Sequence, residues 1–149
     1  MAEVEFLILA NHVEAVNGLL YVSGGGWTDM TVPAPAEGQA APPVSFGLGF
    51  AVLVPWTETN RPHRFIVRIE AEDGPEIVHV EGDVTAGRPA EATPGADLRA
   101  VMAINATIPL PEPGCYRAVV ELVQGGPRSV SFRFRHLPPH GRALAQPPA

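Results

Sequence analysis

Two histidines stand two residues before a glutamate, in His12-Val13-Glu14 and His79-Val80-Glu81. On an extended strand this spacing puts both side chains on one face, and imidazole beside carboxylate is a donor pair for zinc. A zinc deaminase also needs Pro-Cys-x-x-Cys, and the chain's one cysteine is Cys115. His136 and His140 flank Leu137-Pro138-Pro139, which breaks the helical turn that would make His-x-x-x-His a ligand pair. The expectation is therefore solvated strand histidines, with no metal and no other cofactor. Glu70, Glu72 and Asp73 crowd one turn, where acids commonly serve solubility. No Gly-x-Ser-x-Gly elbow occurs, and Gly24-Gly25-Gly26 opens no evident helix, so neither a serine hydrolase nor a dinucleotide loop is spelled. Cys115 has no partner histidine identifiable in sequence and reads as a small core or rim residue. The sequence reads as a protein that is not an enzyme, with a small hydrolase of unrecognised site as the residual alternative.

All ten basic residues other than histidine are arginine. The absence of lysine closes off P-loop phosphate binding and Schiff-base chemistry. The formal net charge is -6, which argues against nucleic acid or an anionic membrane as a partner recognised through overall charge. One cysteine permits no intrachain disulfide and suits a reducing compartment. Acids at Glu3 and Glu5 and the lack of a roughly 20-residue apolar run give a cytoplasmic expectation. The sequon Asn105-Ala106-Thr107 reads as incidental.

The elements that must position these residues are strands. Fifteen glycines and 17 prolines in 149 residues favour many short segments over long helices. Period-2 alternation recurs: Val4, Phe6 and Ile8; Leu20 and Val22 after the Asn17-Gly18 turn; Phe46 to Val54; Phe65, Val67 and Ile69. It continues through Ile77–Glu81, Leu98 to Ile108, Tyr116 to Leu122, and Val130, Phe132 and Phe134. Thr31 to Ser45 and Gly82 to Gly95 read as long Pro/Gly-rich loops. About eight one-sided strands predict an all-β, two-sheet antiparallel sandwich of immunoglobulin-like type. It spans residues 1–137, with 138–149 a flexible Pro-rich tail. Pro113-Gly114-Cys115-Tyr116 reads as a tyrosine corner, and Ala118 stands where antibody domains carry a disulfide cysteine. Gly47, Gly49 and Ala51 share the face of their strand opposite the large residues. Such a face predicts close cover, by the long Pro-rich loop or by a partner.

Phe6-Leu7-Ile8-Leu9-Ala10-Asn11-His12 and Gly18 through Gly24-Gly25-Gly26-Trp27, with Asn60-Arg61-Pro62-His63, Asp73-Gly74 and Pro111-Glu112-Pro113-Gly114-Cys115-Tyr116, resemble an uncharacterised family of small bacterial and phage proteins. The chain departs from that pattern at Asn11 and Leu19, where the family has Asp and Lys. The resemblance implies an all-β fold and brings no activity with it.

In immunoglobulin-like order the strands 64–71, 115–123 and 129–136 share a sheet. Their outward positions carry Arg64, Arg68, Arg117, Arg133 and Arg135, against Glu70 and Glu121. This predicts a basic face on an acidic protein, unless cross-strand pairs such as Glu121 with Arg133 neutralise it. The loops 56–63 and 124–128 meet at one end, gathering Trp56, Glu58, Asn60, Arg61, His63 and Arg128. Loops held by a rigid sandwich are where binding concentrates. The leading expectation is a non-enzymatic module that binds a protein partner or an anionic ligand. The alternative is a structural or assembly subunit, like a phage decoration protein, that associates with copies of itself through sheet edges or the small-residue face.

Overall fold

A computed structural model of the chain describes residues 1–138. Those residues form nine strands: β1 (Glu3–Val16), β2 (Leu19–Gly25), β3 (Asp29–Pro33), β4 (Val44–Val54), β5 (His63–Ala71), β6 (Glu76–Val84), β7 (Leu98–Ile108), β8 (Gly114–Leu122) and β9 (Gly126–Leu137). A single 3-10 turn, Trp56–Glu58, lies between β4 and β5. One sheet has the order β2-β1-β4-β7, the other β3-β9-β8-β5-β6. The tail expected beyond Pro138 lies outside the described residues.

The two sheets face each other across one apolar core, which is the expected sandwich. Phe46, Leu48, Phe50, Val52 and Val54 of β4 meet Phe65, Val67 and Ile69 of β5, Tyr116 to Leu122 of β8, and Phe132 and Phe134 of β9. Aromatic contacts knit one end: Trp27 stands edge-on to Phe46 and Phe132 at 5.8 Å each, and Tyr116 stacks on Phe132 at 5.7 Å. Such pairs add about 0.5–1.5 kcal/mol each beyond their burial. Tyr116 donates its hydroxyl to the Glu112 carbonyl, which is the expected tyrosine corner. Ala118 is fully buried opposite no cysteine, and Cys115 is exposed at the start of β8 rather than part of the core.

Three details differ from the sequence expectation. First, the sandwich is not wholly antiparallel, and the strands number nine. Thr31–Pro33, read as loop, belongs to β3, which runs parallel to β9 from Asp29↔Arg133 to Pro33↔Leu137. Five residues beside prolines are too few to show a period, so only the neighbouring strand reveals them. Second, β1 does not bury Val4, Phe6 and Ile8 together. A bulge between Val4 and Phe6 inserts one residue, so the core side chains are Val4, then Leu7 and Leu9. Phe6 and Ile8 turn to the other face.

Third, the glycine face of β4 is covered by the β1–β2 hairpin, not by the Pro-rich loop. Past Ala10, β1 leaves β4 and pairs with β2 alone. A Cβ on Gly47 would lie 2.8 Å from Asn105 Oδ1 and 3.0 Å from the Val13 nitrogen; one on Gly49 would lie 2.8 Å from Leu20. Asn105 on β7 clamps this cover: its Oδ1 accepts from Val13 N–H at 3.0 Å, and its Nδ2 donates to Val13 C=O at 2.8 Å. The side-chain amide thus stands in for a missing strand partner of the fully buried Val13.

Asn105→Ala leaves both Val13 backbone groups without that partner and is expected to cost about 1–3 kcal/mol. Gly47→Ala is expected to cost a similar amount, because backbone rather than a flexible side-chain end must move. Both changes act on Val13, so a double-mutant cycle by urea denaturation should show coupling. Strict additivity would mean that the clamp and the close approach are unrelated.

Candidate functional site

Strands β5, β8 and β9 do share a sheet, with Arg64, Arg68, Arg117, Arg133 and Arg135 on its outer side. The expectation of a continuous basic face does not hold, because the neighbouring strands supply carboxylates. Arg64 pairs with Asp83 at 3.3 Å and Glu81 at 3.8 Å, both on β6. Arg68 pairs with Glu121 at 2.8 Å and Glu70 at 3.6 Å. Arg117 reaches Glu70 at 2.6 Å, and Arg135 reaches Asp29 of β3 at 3.2 Å. The pairing of Glu121 with Arg133 does not form: Glu121 stands opposite Pro127, and Arg133 opposite Cys115. Hydrogen bonds to Glu121 and Asp83 hold the Arg68 and Arg64 guanidiniums above their ordinary pKa, so both stay charged within their pairs.

Arg133 is the exception. Among the described residues no carboxylate lies within ion-pair distance of it. It borders a shallow depression of about 340 Å³ with Arg135, Ser131, Thr28 and Cys115, and with Asp29 and Glu72 at the rim. Alternation along β9 puts Ser129, Ser131, Arg133 and Arg135 outward, and the parallel strand β3 brings the one acid, Asp29, to Arg135.

The loops 56–63 and 124–128 meet at one end, as expected, around a depression of about 260 Å³ that Arg61, His63, Glu58 and Gln124 help to line. Trp56, Asn60 and Arg128 do not line it. Trp56 lies under Arg88, whose guanidinium sits 4.3 Å from the ring centre and donates to Trp56 C=O and to the buried Thr59 hydroxyl, each at 2.6 Å. Asn60 takes a left-handed φ of 61° and donates its N–H to Ala86 C=O. Arg128 donates across the sandwich to Val4 C=O at 3.0 Å. Even Arg61 and His63 turn inward, onto the Glu58 carboxylate at 3.2 Å and the Glu58 carbonyl at 2.8 Å. The polar atoms of this end chiefly hold the loop itself.

Both His-x-Glu pairs fall on strands with their side chains in contact: His12 to Glu14 at 3.2 Å and His79 to Glu81 at 3.1 Å. Glu76 also reaches His79, at 2.8 Å. Among the described residues no group of three or more such side chains is arranged to hold a metal ion.

Sequence reasoning missed the largest concavity, a groove of about 710 Å³ where the chain crosses from one sheet to the other. It is lined by Gly24–Gly26, Trp27, Met30, Val32 and Pro42–Pro43. The Gly24-Gly25-Gly26-Trp27 run was its signal, legible only as a strand break. The Trp27 indole N–H is buried without an acceptor.

Two facing sheets, a parallel β3–β9 pair and a tyrosine corner define an immunoglobulin-like β-sandwich. The chain belongs to a family of unknown function, DUF6941, whose family model matches residues 5–134. No curated protein matches the chain. Among the described residues no helix is long and apolar enough to cross a membrane.

The carboxylates beside His79, first the hydrogen bond from Glu81 and then the charge of Glu76, raise its pKa above the ordinary 6.5. A raised folded-state value means that the pair's contribution is complete below the unfolded pKa and is lost as pH rises through the folded one. NMR titration of the His79 ring should give a midpoint above that of a free imidazole. Glu81→Gln should lower it more than Glu76→Gln. Equal midpoints in all three proteins would contradict the geometry.

Proposed function

We propose that this domain is a non-enzymatic, cytoplasmic binding module. It uses the outer side of the β9 end of its five-stranded sheet to hold an anionic group, a carboxylate or phosphate presented by a ligand or protein partner. The observation that carries the reading is Arg133, the one arginine of the five on that face without a carboxylate partner among the described residues. Arg133 and Arg135 lie two residues apart on one strand face, so their guanidiniums can fork onto one anion. Ser131 and Thr28 add hydroxyls at the same depression.

This site is narrower than the whole arginine face. An incoming anion at Arg64, Arg68 or Arg117 would have to displace a carboxylate already in place, and the exchange gains little. At Arg133 nothing is displaced. The exposed Cys115 beside it suits a reducing compartment.

An acidic peptide rich in Asp and Glu, titrated into isotope-labelled protein, is expected to shift the amides of Ser131, Arg133 and Arg135 first. The affinity should weaken as salt rises toward about 1 M, where the screening length falls to about 3 Å. Arg133→Glu with Arg135→Glu should abolish the shifts while leaving stability within about 0.5 kcal/mol, as for other exposed substitutions. Shifts spread evenly over the surface, or retained in that variant, would count against the site.

A further inference from the structure

We propose that two copies of this chain join through their β2 strands, antiparallel across a two-fold axis, so that the four-stranded sheets merge into one of eight: β7-β4-β1-β2-β2-β1-β4-β7.

The argument begins with the turn. Asn17 and Gly18 both have positive φ, 51° and 77°, and Val16 stands opposite Leu19, so β1 and β2 are joined by a two-residue type I′ hairpin. The residues that close such a hairpin exchange both backbone hydrogen bonds, and the pattern then alternates along an antiparallel ladder. Leu19, Tyr21 and Ser23 therefore direct their N–H and C=O groups at β1. Leu20 and Val22 direct theirs outward, where β2 ends the sheet.

Proteins ordinarily blunt such an edge with charge or proline. The edges of the other sheet follow the rule: β3 carries Asp29 and Pro33, and β6 carries Glu76, His79, Glu81 and Asp83. On the opposite edge of the same sheet, β7 carries Arg99, and none of its apolar side chains is widely exposed. β2, Leu-Leu-Tyr-Val-Ser-Gly-Gly, has neither charge nor proline. It is also the strand with the most exposed large apolar side chains: Leu19 at 60% and Tyr21 at 54%, with Val22 behind them and Val16 beside Leu19.

Charge selects a second copy as the occupant. The chain carries a net charge of -6, so two copies repel, and along β6 they would oppose carboxylate to carboxylate. Along β2 a two-fold sets no charge against its own image. The nearest charged groups, Glu14 and His12 one strand in, already contact each other at 3.2 Å.

The outward groups also fix the register. Leu20 pairs with Val22 of the second copy and Val22 with Leu20, both as hydrogen-bonded pairs, which makes four bonds. Tyr21 then meets its own image on the axis as the intervening non-hydrogen-bonded pair, where cross-strand side chains lie closest and aromatic pairs count most. Leu20 itself stays seated on Gly49, so the pairing leaves the hairpin's cover of β4 intact.

Sedimentation equilibrium across a concentration series is the test. The wild-type mass should rise from one chain toward two. Tyr21→Lys, which sets two ammonium groups against each other on the axis, should weaken association at least about tenfold. Val123→Lys, at an exposed apolar residue far from β2, should leave it unchanged. Hydrogen exchange on the wild-type protein gives a second readout that requires no substitution: the amides of Leu20 and Val22 gain protection on concentration. A wild-type protein that stays monomeric up to about 1 mM, weaker than specific associations usually are, overturns the proposal. So does a dimer whose Leu20 and Val22 amides exchange as they do in the monomer.

Discussion

Two missing side chains on β4 shape everything on the outer side of its sheet. Gly47 and Gly49 leave a shallow trough into which the β1–β2 hairpin sinks, with Val13 against the first and Leu20 against the second. β4 is consequently buried on both faces although it belongs to an antiparallel sheet, which ordinarily has one wet side. The cover would leave the Val13 backbone groups buried and unmatched, and the Asn105 amide resolves that by offering one acceptor and one donor in strand-like geometry. Bulge, glycines and asparagine are one device. The bulge after Val4 turns Ile8 toward the trough, the glycines make room, and Asn105 fixes the depth. Because the hairpin is held there, its far strand becomes the edge of the sheet.

The electrostatics follow from which strands are neighbours. An acidic chain with ten arginines has carboxylates to spare, and the five-stranded sheet places β6 and β3 at its flanks so that Asp83, Glu81 and Asp29 reach arginines on β5 and β9. Exposed pairs of this kind contribute about 0–1 kcal/mol each, so they matter less for stability than for what the surface offers. Four of the five arginines offer little to an incoming anion. Arg133 differs because its β8 neighbour is Cys115, which carries no negative partner. The loop end obeys the same logic: Trp56, Thr59 and Arg88 hold one another, and His63 and Arg61 hold Glu58.

Much of this was readable from residue order alone. Alternation in β4, β5, β7, β8 and β9, the Asn17-Gly18 turn and the Tyr116 corner are local patterns with local causes: a two-residue side-chain period, positive φ at small polar residues, a hydroxyl four residues from its acceptor. They determined the all-β class, the sandwich and which face of most strands is apolar. They also placed Arg64, Arg68, Arg117, Arg133 and Arg135 on one side of one sheet, and His79 beside Glu81.

What residue order could not decide is which strand lies next to which, since pairing is set by burial summed over the whole chain. Register decides that Glu121 answers Arg68 and not Arg133, and that Arg133 goes without a carboxylate. A one-residue bulge, invisible in the spacing of β1, exchanges Phe6 and Ile8 for Leu7 and Leu9 in the core. The identity of the segment over Gly47 and Gly49 is a question of distance between parts of the chain far apart in sequence, here 92 residues between Val13 and Asn105. The sequence determined the strands and their faces because those are properties of neighbours along the chain. Only the tertiary structure decided the partners, the open edge and the one unmatched arginine, because those are properties of neighbours in space.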